Sequence, residues 1–224
     1  MESRPPEIEG ILRRHMIKMP EVISKASGIK IFGKLIKSLV FTTDVAIIKN
    51  CNANAIMAVY PFTPQPAITH AIIQVSDVPV FCGVGGGITG GKRSINLALD
   101  AENQGAIGVV LNAPATNETI AAMKERIDIP IVVTVVSEKT DFESRIKAGV
   151  SVFNVSGAGD TIEIIKRIRD KNSDIAIIAT GGPNDETIIK TIEAGANAIT
   201  YTPPTPAQIL KMIMSSYREG DSII

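Results

Sequence analysis

The groups in this chain that could do chemistry are a few acids, amides and thiols together with two glycine turns, and most of them stand directly after apolar runs. Asp44 follows the run at residues 39–41 and Glu138 follows the run at 130–136. A carboxylate held beside a reacting group can move a proton, so both are candidate acid–base residues. Asp44 is equally suited to cap a short helix beginning at Val45. Glu138 is followed by Lys139, and adjacent side chains diverge, so only one of the two is expected to face a shared cleft. Cys82 ends another run, yet a thiol nucleophile needs a base, and His70 lies within a helical stretch with nothing to mark it as one. A buried packing role suits Cys82 better. Asn112 and Tyr60, after two further runs, offer an amide and a phenol. Asn154 sits inside Val152-Phe153-Asn154-Val155-Ser156, and an amide within an apolar strand must find hydrogen-bond partners. Asn112 and Asn154 are therefore candidates for orienting a ligand.

The glycine turns point to anions. Residues 83–93 read Gly-Val-Gly-Gly-Gly-Ile-Thr-Gly-Gly-Lys-Arg, and from Gly86 they match G-x-x-x-x-G-K, the phosphate-wrapping loop of nucleotide hydrolases. The next position needs a Ser or Thr hydroxyl for a metal ion and is Arg93, which argues against that enzyme class. What survives is a backbone able to approach a ligand closely, with Lys92 to neutralise its charge. The second turn, Gly181-Gly182, lies between an apolar run and a helix start marked by Asn184, Asp185 and Glu186.

Those groups need elements to hold them. From Ser38 onward, eight apolar runs alternate with amphipathic stretches: residues 39–41, 55–60, 78–82, 106–111, 130–136, 150–155, 175–180 and 196–202. Near-continuous Val/Ile/Ala runs mark strands buried on both faces, as a parallel sheet between helices requires. Eight strands in alternation with helices predict an α/β fold, a single closed (β/α)8 barrel over residues 38–224. An internal echo supports it, since Asn52-Ala53-Asn54-Ala55-Ile56 parallels Gly195-Ala196-Asn197-Ala198-Ile199. Residues 1–37 stand outside the pattern. Ile8, Ile11, Leu12, His15 and Met16, then Ile29, Phe32, Leu35 and Ile36, recur at helical spacing, which predicts an N-terminal helical cover over the barrel's bottom. Further capping signals place helix starts at Thr140, Asp160 and Thr205.

The stretch 174–203, with Thr180-Gly181-Gly182, a helix and then Ala194-Gly195-Ala196-Asn197-Ala198-Ile199-Thr200-Tyr201, resembles the seventh and eighth strands of small phosphate-binding (β/α)8 barrels. That superfamily includes ketodeoxyphosphogluconate aldolase, thiamine phosphate synthase and N-acylmannosamine-phosphate epimerase. The resemblance implies a phosphorylated small-molecule substrate, with Gly181 and Gly182 turning main-chain N–H groups toward its phosphate and the turn after strand eight assisting. In that second turn the chain reads Tyr201-Thr202-Pro203-Pro204 where the relatives carry Gly-Ser, so either Thr202 serves through its hydroxyl or the loop from Gly83 to Lys92 supplies the missing donors. Strand six lacks the lysine that Schiff-base aldolases of this fold use.

Composition narrows the remaining classes. With 23 basic and 23 acidic residues, six Phe, three Tyr and no Trp, the chain lacks the charge and stacking surface of a nucleic-acid binder. No run is long enough to cross a membrane and the charged start is unlike a signal peptide, so the cytoplasm is the expected compartment. Cys51 and Cys82 have no metal-ligand spacing, and with only two histidines neither a metal nor another cofactor is expected. The sequence-level function is a proton-transferring isomerase, epimerase or non-Schiff-base lyase acting on a small phosphorylated metabolite. A non-catalytic metabolite sensor and a hydrolase of an unphosphorylated substrate are the alternatives, and assembly as a homo-oligomer is compatible with each.

Overall fold

The eight apolar runs form eight strands, each followed by a helix. In the computed structural model, which describes residues 6, 8, 10 and 16–219, the barrel strands in chain order are β1 (Ser38–Phe41), β2 (Ala55–Ala58), β3 (Val80–Gly85), β4 (Gly108–Leu111), β5 (Ile131–Val135), β6 (Val152–Val155), β7 (Ala176–Thr180) and β8 (Ala198–Tyr201). The helices are α1 (Val45–Lys49), α2 (Pro66–Val75), α3 (Gly91–Asn103), α4 (Asn117–Lys124), α5 (Phe142–Lys147), α6 (Thr161–Lys171), α7 (Asp185–Glu193) and α8 (Pro206–Glu219). Every neighbouring pair of strands is parallel, and the pairing of Ile199 with Ser38 and Tyr201 with Val40 closes β8 onto β1. No helix among the described residues is long and apolar enough to cross a membrane.

Alternation along each strand sends one set of side chains outward under the helices and the other inward. The outward set, including Val40, Ile56, Cys82, Val109, Val133, Phe153, Ile177 and Ile199, packs against buried helix residues such as Ile120, Ile164, Ile165 and Ile188. Following the registers from strand to strand stacks the inward set in layers of four. The lowest two, Ala55/Gly108/Val152/Ala198 and Leu39/Phe81/Val132/Ile178, are wholly apolar. Gly108 is required there, because a Cβ at that position would lie 2.8 Å from the Phe81 ring. The third layer, Met57/Val110/Asn154/Thr200, and the fourth, Phe41/Gly83/Thr134/Thr180, turn polar on the side of β5–β8 and remain apolar on the side of β1–β4.

The bottom of the barrel is plugged, though not as the sequence predicts. Residues 29–36 form an antiparallel hairpin, Ile29–Ile31 against Lys34–Ile36, where the spacing of Ile29, Phe32, Leu35 and Ile36 predicts a helix. Phe32 (φ 46°) and Gly33 (φ 81°) make its two-residue turn, whose left-handed conformation matches strand twist. Ile29, Ile31 and Ile36 then join the inward core. A short 3₁₀ turn, Glu21–Lys25, precedes the hairpin. The helical pattern proposed for Ile11, Leu12 and His15 falls outside the described residues.

The sequence echo has a shared structural cause. Asn54 Oδ1 accepts the main-chain N–H groups of Lys37 and Ser38 (3.0 and 3.1 Å) at the start of β1, and Asn197 Oδ1 accepts that of Ile177 (2.9 Å) at the start of β7. Each asparagine clasps the foot of the preceding strand. Arg169 of α6 completes the second clasp, donating to the Gly195, Ser173 and Ile175 carbonyls and to Asn197 Oδ1.

Candidate functional site

The C-terminal ends of the strands carry two hollows. The larger, of about 590 Å³, is a groove between the turns after β6 and β7, lined by Ser156, Ala158, Thr161, Thr180, Gly181, Gly182 and neighbouring residues. The smaller, about 210 Å³, lies above β2, β3 and β4 between Tyr60, Phe62, Gly86, Ile88 and Asn112. None of the residues lining either hollow is charged.

The groove owes its shape to two glycine turns. After β6, the Gly157 N–H donates to Thr161 Oγ1 (3.1 Å) and Ala158 adopts a left-handed φ of 51°, a conformation that costs a residue with a side chain. A 3₁₀ turn, Ala158–Asp160, leads into α6, and Asp160 makes no side-chain cap, contrary to the capping-box spacing. After β7, the Gly181 N–H is directed at the Thr200 carbonyl (3.5 Å), while the Gly182 N–H meets no acceptor among the described residues. Gly182 has φ 85°, and a Cβ there would lie 2.5 Å from Thr187 Oγ1. That hydroxyl is engaged in a reciprocal cap with Asn184, which starts α7 as the sequence predicts. Ser156 and Thr180 face each other, with Thr180 Oγ1 donating to Ser156 Oγ at 3.4 Å. The groove therefore presents one open main-chain amide, two loosely paired hydroxyls and the N-terminal ends of two helices, all of which favour negative charge.

Below the mouth lies an unfinished hydrogen-bond network. Asn154 Nδ2 donates to Thr134 Oγ1 (3.2 Å), but Asn154 Oδ1 and Thr200 Oγ1, both in the third layer, are buried without a partner among the described residues. Leaving such a group unsatisfied costs about 1–3 kcal/mol. Asn154 thus stands where its sequence context suggests, inside the barrel. Thr134, Thr180 and Thr200 are additions the sequence reading missed. Their signal is the period-two alternation of polar residues with Asn154 and Ser156 across neighbouring strands.

In the smaller cleft, Asn112 and Tyr60 come together as wall residues. Tyr60 Oη accepts the Gln65 N–H (2.9 Å), and the Asn112 N–H donates to the Gly85 carbonyl (2.9 Å). The glycine loop beside them is pinned. Gly86 and Thr89 bridge through a 2.7 Å bond, Ser94 Oγ donates to the Thr89 carbonyl, and Thr89 Oγ1 donates to Thr63. Gly85 (φ 142°) and Gly86 (φ 103°) are needed for this fit, since a Cβ on either would fall within 2.6 Å of Ser94 Oγ or the Asn112 nitrogen.

The charged candidates stand elsewhere. Asp44 Oδ1 accepts the N–H groups of Ala46 and Ile47 (2.9 and 3.1 Å), so its carboxylate caps α1. Glu138 turns outward, 3.4 Å from Arg167 of α6, with half its side chain in solvent. Lys92 is exposed over an outer furrow between α3 and α4, beside Asn96, Glu125 and Arg126. Thr202 is exposed just past β8 and lines neither hollow. The structure thus gathers Gly181 and Gly182 in one hollow, Asn112 in the other and Asn154 beneath them. It does not bring Asp44, Glu138, Lys92 or Thr202 to either. Cys82 points outward under the helices, and burial pushes its thiol up to about 12, which removes it as a nucleophile at neutral pH. Among the described residues no three His, Cys, Asp or Glu side chains converge as a metal site would need. The caps at α5 and α8 are Asp141, accepting the Ser144 N–H, rather than Thr140, and Thr205, paired reciprocally with Gln208 as predicted.

No protein-family model and no curated protein sequence matches this chain. Solved structures do resemble it. A phosphonopyruvate hydrolase in complex with oxalate and Mg²⁺ superposes with a TM-score of 0.60 at 11% identity, covering 81% of this chain and 79% of that one. A thiamine phosphate pyrophosphorylase from Pyrococcus furiosus gives 0.56 at 18% identity, over 74% and 84% of the two chains. A mandelate oxidase gives 0.63 at 18% identity, over 79% and 68%. At these identities the likeness is one of fold, and the feature that this chain shares with all three is the (β/α)8 barrel.

Proposed function

We propose that this barrel binds a small phosphorylated metabolite in the groove between the β6 and β7 turns, through neutral hydrogen bonds rather than ion pairs. One observation carries the reading: the groove combines the unpartnered Gly182 amide, the Ser156 and Thr180 hydroxyls and two helix starts, and no charged side chain lines it. A phosphate dianion suits main-chain N–H groups and helix N-termini without requiring a counter-charge. Asp185 and Glu186 in the first turn of α7 oppose it, although Glu186 is neutralised by Lys190 at 2.6 Å. Free phosphate is expected to bind with a Kd of about 1 mM, equivalent to about 4 kcal/mol.

Recognition without turnover is the outcome this geometry favours. An isomerase, epimerase or lyase working through Asp44 or Glu138 would require the first to leave its helix cap and the second its arginine. A sensing barrel requires neither change. The resemblance of the fold to enzymes supplies the competing reading, and both are tested by ³¹P NMR of simple sugar phosphates incubated with stoichiometric protein. Broadened ligand signals with no new resonances after a day support binding alone. New resonances would transfer the site to an enzyme, and sharp, unshifted signals at about 10 mM ligand would overturn the phosphate reading.

A further inference from the structure

The two orphaned oxygens of the third layer face the same interior from β6 and β8, one strand apart on either side of β7. Through Ile178 the register sets Asn154 level with Ala198, so Thr200 lies two residues further along β8 and two strand spacings of about 4.8 Å away, and both side chains point inward. Asn154 Oδ1 carries no hydrogen and can only accept, while one of the two amide N–H groups is engaged by Thr134. The Thr200 hydroxyl can donate or accept. The rest of their layer, Met57 and Val110, is buried and apolar, as is Phe81 below. In the layer above, Gly83 contributes no side chain, and Thr134 and Thr180 are partly exposed to the mouth.

We infer that this floor is a subsite for a single alcohol group of the ligand. The inference rests on the reading above, in which the ligand's phosphate occupies the groove and its other end reaches downward. One hydroxyl completes both orphans, donating its proton to Asn154 Oδ1 while its lone pair accepts from the Thr200 O–H. A ketone or carboxylate oxygen satisfies Thr200 only and sets an acceptor against Asn154 Oδ1. An ammonium satisfies both but brings an unpaired charge among Met57, Val110 and Phe81, which burial penalises. The chemistry therefore selects a hydroxylated phosphate ester over its deoxy, keto or carboxylate counterparts. Asn154 and Thr200 are the selecting residues, and Thr134 positions the amide.

The test uses ¹⁵N-labelled protein and reads two signals, the Gly182 main-chain amide and the Asn154 side-chain amide, against inorganic phosphate, ethyl phosphate, 2-hydroxyethyl phosphate and glycerol. The expected result is that the hydroxyethyl ester binds about tenfold more tightly than the ethyl ester, the size of one good hydrogen bond. It should move the Asn154 signal as the ethyl ester does not, and Thr200→Val should abolish both differences while leaving phosphate binding at Gly182 intact. If both esters move Gly182 with equal affinity and neither moves Asn154, the floor is packing, or holds an ordered water only, and this inference falls while the phosphate reading stands. If no phosphate compound moves Gly182 but glycerol moves Asn154 in wild type and not in Thr200→Val, the phosphate reading falls and the alcohol subsite stands. Silence at both signals removes both.

Discussion

The two ends of this barrel differ in how they treat polar groups. At the bottom, Arg169 donates to three carbonyls and an amide oxygen, Asn54 and Asn197 clasp strand starts, and an apolar hairpin seals the interior. At the mouth, among the described residues, Asn154 Oδ1 and Thr200 Oγ1 have no partner and the Gly182 amide has no acceptor, and Ala158 holds an unfavourable backbone angle. A fold closed by packing alone would satisfy such groups or replace them with apolar ones. The bottom is not wholly complete, since Gln104 Oε1 at the end of α3 is also buried without a partner among the described residues, but the orphans inside the barrel lie beneath the mouth, which fits the proposal that stability is built at the first end and a ligand is recognised at the second.

That contrast is most sharply tested at the bottom. Arg169→Ala should lower stability by about 3 kcal/mol, because several half-buried carbonyls lose their donor together, measured as a shift in the urea midpoint at unchanged slope. A loss under about 0.5 kcal/mol would mean that water replaces the clasp and that the two ends do not differ in kind. Next in size, Gly85→Ala should cost about 2 kcal/mol or more, from a left-handed φ and a collision with Ser94. Gly87→Ala, at φ 73° in open space, should cost about 1 kcal/mol. Equal effects at the two glycines would show that the loop is not pinned. At the mouth, Thr200→Val should leave the free protein as stable as wild type or raise its stability by up to about 1 kcal/mol, since the hydroxyl it removes has no partner. A clear loss of stability would reveal a partner and erase the asymmetry.

How much of this was legible beforehand follows from burial. The eight strands could be read because strands covered on both faces leave unbroken apolar runs, and the clasping asparagines showed as a repeated motif. The hairpin could not. Ile29, Phe32, Leu35 and Ile36 satisfy helical spacing as well as Ile29, Ile31 and Ile36 satisfy alternation, and the turn at Phe32-Gly33 decides between them only once its φ angles are known. Asn154 was conspicuous as an amide among apolar residues. Thr134, Thr180 and Thr200 were not, since threonine is an ordinary strand residue and its inward direction depends on register. The directions of Glu138 and Lys92 are illegible for a related reason, since they follow the local backbone course: Glu138 leans outward to Arg167 of α6, and Lys92 belongs to the first turn of α3, over the furrow toward α4.

Smaller effects sharpen the same division. Lys92→Met should change neither the melting temperature nor phosphate affinity by more than about twofold in Kd, which isothermal titration would check; a large loss of affinity would return the glycine loop to the site. The smallest concerns Asp141, whose carboxyl is held below the ordinary aspartate range, chiefly by the hydrogen bond from the Ser144 N–H. A depressed folded value gives stability that is fully present above the unfolded value, about 4, and is lost as pH falls through the folded one. The difference in melting temperature between wild type and Asp141→Ala should therefore shrink below about pH 4; a constant difference would mean that the cap acts without its charge.

The central claim is that an anion is held at the β6–β7 groove by neutral groups. Titration of inorganic phosphate into ¹⁵N-labelled protein tests it directly, by mapping which main-chain amides move. The account predicts saturable shifts centred on Gly182, with Ser156 and Thr161 following and the amides around Lys92 unchanged. Shifts centred on Lys92 and Arg93, or no saturable shift at any amide, would contradict it.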